Sequence, residues 1–359
     1  MFLAICSAAL AILTSPASWA ADGQTDHVLV SRDGDTTYVK SGKTKETVFK
    51  SPHAKEAIEW AMNNSGITVV GEGTYTLAGS IEVPRSNVSL VITETAELVA
   101  APDARLTIIS EGHGRYASLI HNAGHDHVNI VNFGTLDAGG PCVIMVEGRS
   151  GGKCGIDGGL VFSSGLLRTK KDAVWIVDAK NVTVPLIWCD GPANTLAIEG
   201  CEDLAIDTVA ELATEGRDAG RHGNEAIDLN SYSRRVHVKL AIGTPPLEEV
   251  IDINNSPDCV FDEVRSYGKA RLVSRTVYPP TGRRLTQKPH ISHSNGAVVK
   301  KETIVDKKLQ SWKTQVDVRG LPETLPRITV VAKLTAVFKD GSEEEVLNKT
   351  YHLHLNEPR

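Results

Sequence analysis

Glu225-Ala226-Ile227-Asp228-Leu229-Asn230 is followed, 24 residues later, by Glu249-Val250-Ile251-Asp252-Ile253-Asn254. A repeat of this period with strand-like composition is the signature of successive turns in a stacked β architecture. Side chains alternate along a strand, so Ile227 and Leu229 are expected in a core and Asp228 and Asn230 on the outer surface. Strands in register lie about 4.8 Å apart, which stacks Asp228 on Asp252 and Glu225 beside Glu249. Like charges at that spacing cost free energy unless a proton, a cation or a ligand offsets them.

Strand and turn units extend on both sides of the repeat. Upstream are Ile67 to Val70, Gly73 to Leu77, Ser80 to Val83, Ser86 to Leu90, Val128 to Ile130 and Gly134 to Asp137. Later units begin at Val182, Leu204, Val236 and Cys259, spaced by 22, 32 and 23 residues; the longest gap holds a polar insertion, Ala213 to Gly223. Long loops on one face of a repeat protein commonly carry binding function. Before these units, Ser51-Pro52 reads as an N-cap followed by Pro, and Ala54, Ala57, Ile58, Ala61 and Met62 recur at helical spacing. This short helix is placed to cover the open end of the stack.

Phe2 to Leu13 is an apolar run followed by small residues up to Ser18-Trp19-Ala20, although no Lys or Arg precedes it. Residues 1–20 therefore read as a signal peptide, and a secreted, periplasmic or cell-surface location is expected. No other stretch is apolar for long enough to span a bilayer. Residues 21–50 form an N-terminal segment and 51–301 the stacked domain. Residues 302–359 are a β-rich appendage, with a hairpin signal at Lys339-Asp340-Gly341-Ser342. This appendage would blunt the edge of the last turn or bind glycan.

The net charge is −6, yet nine Lys or Arg and no Asp or Glu lie between Arg265 and Lys301. That stretch is either a solvated basic loop or a groove wall for a polyanion. No nucleic-acid-binding motif is present, and an acidic polysaccharide suits an exported chain better. Of six cysteines, Cys6 lies in the expected signal peptide; Cys142 with Cys154 and Cys189 with Cys201 are each 12 apart and could close two loops, leaving Cys259 as an odd thiol.

The helix, "GTYTLAGSIEVPRSNVSLV", "HVNIVNFGTLDAGG", "NVTV" and "NEAIDLN" resemble the pectin-lyase-like right-handed parallel β-helix superfamily over roughly residues 50 to 275. The resemblance implies an all-β solenoid with a capping helix. In its polygalacturonase-like hydrolases, stacked acids protonate a leaving group and activate water. Gly223-Asn224-Glu225-Ala226-Ile227-Asp228 is similar to one motif of that branch, and Glu248-Glu249 stands where a paired acid would follow. Glu replaces Asp at every matched acid except Asp228. In the alginate lyase and chondroitinase B type, a Gly-x-Glu-x-Ile coil precedes a calcium site, a Lys base and an Arg. Here Arg271 or Arg275 is similar to that Arg; Asn254 or Asn255 occupies the Lys position, with Lys269 as substitute.

The expected catalytic set is thus Glu225, Asp228, Glu248, Glu249 and Asp252, and His222, Lys269, Arg271 and Arg275 are expected to bind substrate. Asp228, Asp252 and Glu249 are the candidate metal ligands, because Ca²⁺ takes about six to eight oxygens. His121, His125 and His127 around Asp126 are a weaker metal candidate, and Tyr232, Trp188 and Tyr267 are candidate sugar-stacking aromatics. Three functions follow: a glycoside hydrolase on an acidic polysaccharide, a calcium-dependent lyase, and a non-catalytic glycan-binding protein. A purely structural Asn and Asp ladder is the remaining possibility.

Overall fold

The computed structural model describes residues 27–356 except 111–114, 149–154, 191–193, 213–224, 231, 245–248, 269–270, 277–296 and 322–324. The expected signal peptide, Cys154, His222, Glu248 and Lys269 lie outside the described residues.

The chain is almost entirely β, with one helix among the described residues, and its long sheets are parallel. From residue 67 it visits three sheets in rotation. Sheet A takes Ile67–Val70, Ser89–Ile92, Val128–Asn132, Ile156–Ser163, Ala179–Cys189, Ala205–Glu211, His237–Gly243 and Val260–Tyr267. Sheet C takes Ile81–Glu82, Arg115–Ala123, Cys142–Glu147, Val174–Val177, Leu196–Glu199, Glu225–Asn230, Glu249–Asn254 and Arg271–Thr276. A smaller sheet B holds Gly73–Gly79, Ala96–Arg105, Thr135–Asp137 and Leu166–Arg168, after which the chain alternates between A and C. This winding is compatible with a parallel β-helix. Its core is built from inward Val, Ile and Leu, including Ile144, Ile176, Ile198, Ile227, Ile251 and Val264.

Five of the turns from sheet C to sheet A share one form. Left-handed backbone occurs at two residues three apart: Gly124 and His127, Asp178 and Asn181, Gly200 and Asp203, Tyr232 and Arg235, Asn255 and Asp258. Gly, Asn and Asp adopt this region at low cost, which explains their recurrence. The residue after the first of each pair is fully buried in four turns (Ala179, Cys201, Ser233 and Ser256), so the corners stack as the strands do. Outside, alternating charges pair along the stack: Lys180 with Asp157 at 3.1 Å, Arg235 with Asp203 at 2.7 Å, and Arg235 with Glu202 at 3.1 Å. Each such exposed pair adds about 0–1 kcal/mol.

At the start, His27–Asp33 pairs in parallel with Ile67–Val70 and leads into antiparallel Thr36–Ser41 and Thr47–Ser51. The helix runs Ala54–Asn64 and buries the five anticipated apolar residues. It begins later than the Ser51-Pro52 reading: His53 is the N-cap, and Ser51 ends a strand. Ser51 still serves the helix start, accepting the His53 N–H at 3.0 Å and donating to Glu56 at 2.8 Å.

Cys142, Cys189, Cys201 and Cys259 are free and buried, so no disulfide joins Cys189 to Cys201. The Cys201 Sγ contacts the Ile176 carbonyl oxygen at 3.3 Å and the Cys189 Sγ that of Leu167 at 3.2 Å; both thiols are core filler.

Leu309–Arg319, Arg327–Phe338 and Glu343–His354 form an antiparallel sheet whose last turn is the expected Gly341 hairpin. It does not merely blunt the final strand. Ile328, Val330, Leu334, Phe338, Tyr351 and Leu353 pack on the outer face of sheet A, against Val69, Val91, Val131, Phe162, Leu186, Trp188 and Tyr267. Burying each large side chain contributes roughly 1.5–3 kcal/mol. Glu302–Val305 itself joins sheet A beside Val260–Tyr267.

The corner geometry yields a direct test. Asn181 has φ 56°, where a β-branched residue clashes. Asn181→Val is expected to lose about 1–2 kcal/mol more than Asn181→Gly in chemical denaturation. Equal losses would show that the backbone conformation is not the constraint.

Candidate functional site

Two adjacent residues face the core near the start of several sheet C strands: Val143 and Ile144, Ala173 and Val174, Ala226 and Ile227, Val250 and Ile251. This break in alternation turns residues three apart to the same outer face, so Glu225 joins Asp228, and Glu249 joins Asp252. Three outward rows result. The first runs Cys142, Asp172, Asn194, Glu225 and Glu249 to the position of Arg271. The second runs Glu82, His121, Met145, Trp175, Ala197, Asp228 and Asp252. The third holds Glu147, Val177, Glu199, Asn230 and Asn254.

The anticipated stacking of Asp228 on Asp252 and of Glu225 on Glu249 is present. These acids do not lie open on the surface as expected: Asp252 is 9% exposed and Glu225 4%. The same face carries a buried apolar cluster of Cys142, Met145, Trp175, Val177 and Ala197, and Ala197 is the register neighbour of Asp228. The amides hold them in place. Asn230 Nδ2 donates to Asp228 Oδ2 at 2.5 Å, and Asn254 Nδ2 donates to Asp252 Oδ2 and Asn230 Oδ1, both at 2.8 Å. The second oxygens, Asp228 Oδ1 and Asp252 Oδ1, are buried with no hydrogen-bond partner among the described residues.

Crowding separates the acidities. Burial, then the Asp252 and Asp172 charges, push Asp228 up to about 8. Burial raises Asp172 to about 6, restrained by the hydrogen bond from Asn194. At neutral pH Asp228 therefore keeps its proton while Asp172 is largely ionised, the separation that lets two carboxyls serve as acid and base.

The expected metal set changes by one residue. Glu225, Glu249 and Asp252 each bring an oxygen within 4.8 Å of the others, with Glu225 in place of Asp228. Three carboxylate oxygens suit a hard cation such as Ca²⁺. His121, His125 and His127 do not converge. His121 is on a sheet C strand between two acids, whereas His127 occupies the left-handed corner position beyond Gly124.

Arg271 and Arg275 lie on the strand beside the ladder, with Glu249 and Ile253 as their register partners. Elsewhere in the basic stretch, Arg265, Lys300 and Lys301 sit with sheet A, paired with Glu263, Asp262 and Glu263 respectively. These three do not wall the ladder. The sugar-stacking aromatics are also displaced: Trp188 and Tyr267 lie beneath the C-terminal sheet, and Tyr232 is buried at a corner. Sequence reasoning missed Asp172, Asn194, Glu199 and Trp175. The pattern Leu196-Ala197-Ile198-Glu199 was the available signal, since it aligns with Ile227-Asp228-Leu229-Asn230.

A second ionisable cluster lies in the same row, four strand steps or about 19 Å from Asp228. Fully buried His121 contacts Glu82 through Nδ1 at 2.9 Å and Glu147 through Nε2 at 3.4 Å. Burial opposes its charge, yet the bonds to Glu147 and Glu82 prevail and raise its pKa.

No family model matches the chain, and no curated protein matches it. Three solved structures are similar at low level. A putative glycosyl hydrolase from Parabacteroides merdae ATCC 43184 has 14% identity and a TM-score of 0.28, covering 70% of this chain and 88% of that one. ORF18 of Geobacillus virus E2 has 11% identity and a TM-score of 0.26, covering 90% and 85%. A iota-carrageenase complexed to iota-carrageenan fragments has 14% identity and a TM-score of 0.21, covering 66% and 54%. At these TM-scores the likenesses carry no argument about this chain.

Two titrations test the site. An acid with a raised folded-state pKa holds a proton that the unfolded chain releases near pH 4, so stability falls as pH rises from there to about 8. Asp228→Asn should flatten that fall and melt higher than the parent at pH 8; an unchanged slope refutes the buried-acid assignment. His121 behaves oppositely. Its raised pKa stabilises fully below the unfolded value of about 6.5, and the contribution is lost as pH climbs through the folded value. His121→Gln should remove this alkaline loss in thermal melts.

Proposed function

We propose that the chain is an exported right-handed parallel β-helix that cleaves a polysaccharide hydrolytically through the carboxylates on sheet C. The observation that carries this reading is the three-row array in which Asp228, Asp252, Glu225 and Glu249 meet on two adjacent strands with buried carboxylate oxygens held by Asn230 and Asn254. Such an array has few chemical uses. A protonated carboxyl donates to the leaving glycosidic oxygen as the C1–O bond breaks, and an ionised one takes the proton of the attacking water. Asp228 suits the donor role. A polyanionic substrate would approach a strongly acidic strip, so an acidic polysaccharide needs either the protonated carboxyl or a cation to offset its charge.

A second reading rests on Glu225, Glu249 and Asp252. If these hold Ca²⁺, the cation would neutralise a uronate carboxylate and acidify its C5 proton, and the reaction would be β-elimination on a polyuronide. Non-catalytic glycan binding is the third outcome.

One experiment separates them. Purified protein is incubated with neutral, uronate-containing and sulfated polysaccharides, with calcium or chelator, while reducing ends and the ultraviolet absorbance of unsaturated product are followed. Reducing ends without absorbance are expected, with a loss of roughly 10²-fold or more in Asp228→Asn and Asp252→Asn. Glu225→Gln and Glu249→Gln should be similarly impaired without loss of fold. Calcium-dependent absorbance would favour elimination, and retention on a glycan column without turnover would favour binding.

A further inference from the structure

We infer that Asp172 is the general base of the cleavage proposed above and that Asn194 is its positioning residue. This inference rests on the hydrolytic reading and adds a residue that lies outside the repeated motif. Asp172 immediately precedes the inward pair Ala173 and Val174, so it occupies the outward row of Glu225 and Glu249. Asn194 stands between Asp172 and Glu225 and reaches both: its Nδ2 donates to Asp172 Oδ1 at 2.8 Å, and its Oδ1 accepts the Glu225 backbone N–H at 3.2 Å. The Ala173 N–H donates to the Asn194 carbonyl oxygen at 2.8 Å, which locks the two strands in that register. Asn194 is 6% exposed. It thus ties one carboxyl to the backbone of the strand that carries Asp228.

Glu225, beyond Asn194 in the same row, is one of the acids near Asp172. Cys142 Sγ on the preceding strand lies 4.0 Å from Oδ2, Lys171 is its chain neighbour, and Asp228 faces it from two strands away. The Asn194 N–H favours the ionised form of Asp172, and its charge in turn favours the proton on Asp228. The step then balances. Asp228 gives its proton to the glycosidic oxygen, the C1–O bond breaks, and water bonds to C1. The water proton passes to Asp172, and exchange with solvent restores both groups.

The test uses the full chain on a polysaccharide that the wild type cleaves. Asp172→Asn is expected to lose roughly 10²–10⁴-fold in kcat. Added azide, which attacks C1 without a proton to remove, should restore turnover as the glycosyl azide. Asn194→Ala removes the bond that favours the carboxylate, so the acidic limb of kcat/KM should move to higher pH; a purely structural role would lower the whole profile evenly. If Asp172→Asn fails to fold, the Asn194→Ala profile decides. Wild-type rates in Asp172→Asn, or a loss that azide does not restore together with an unmoved limb in Asn194→Ala, would overturn this inference alone. A wild type silent across the panel overturns the hydrolytic reading and this inference with it.

Discussion

The rows on the outer face of sheet C depend on the parallel register between its successive strands. At five of the corners into sheet A the chain turns on two left-handed residues, three apart. Each strand returns to the same phase although the corners differ in length, so a residue's position within its strand decides which row it joins. The corner after Asn230 is one residue longer than the one after Glu199, four residues to Arg234 against three to Glu202, yet Asp228 still pairs with Asp252 because the strands resume the same register beyond it. The site is therefore a product of strand register, which the unequal corners leave intact. The connections from sheet A into sheet C are also of unequal length, as between Glu211 and Glu225 or Gly243 and Glu249. Glu225 and Glu249 begin their strands where these connections end.

The repeated hexapeptide was legible because both copies contribute to the core and to the outer rows. Counting residues between them gave the register that pairs Glu225 with Glu249 and Asp228 with Asp252. Simple alternation failed at Ala226-Ile227 and Val250-Ile251, where two neighbours turn inward. That failure explains why Glu225 replaces Asp228 in the trio of close oxygens. Asp172 and Asn194 were hidden for a different reason. They sit just ahead of Ala173-Val174 and Thr195-Leu196, strands without the acidic motif, and only pairing across the sheet reveals their row. The N-terminal hairpin was likewise passed over, although Gly34-Asp35 is a two-residue turn between Asp33 and Thr36. Burial of the carboxylates was not legible, because burial is set by neighbouring turns and not by the strand's own pattern: Asp228 and Asp252 cover one another, with Ala197 beside Asp228.

Concentrating acids where water is scarce opposes folding, and a rigid sheet is what makes it tolerable. The amides of Asn194, Asn230 and Asn254 each satisfy one oxygen of an acid. Asp228 meets the remaining cost by keeping its proton. At the other end of the same row the solution differs: His121 lies between Glu82 and Glu147, so the charges there are compensated internally. One strip thus holds a neutralised cluster and a strained one. Only the latter retains buried oxygens without partners among the described residues on Asp228 and Asp252.

The antiparallel sheet formed by residues 309–354 also bears on how the chain is made. Asn356 donates its backbone N–H to Ser89 Oγ and its side-chain N–H to the Val88 carbonyl oxygen, joining residues 267 and 268 positions apart. During synthesis the early strands of sheet A can stack one turn at a time, since each needs only its neighbour. Their outer face, with Val69, Val91, Val131 and Phe162, has no cover until the last strands emerge. A ribosome adding about 5–20 residues per second leaves that face naked for many seconds. The molecule consequently has a window of stickiness that closes from the back, and chains cut short before residue 309 would keep it open.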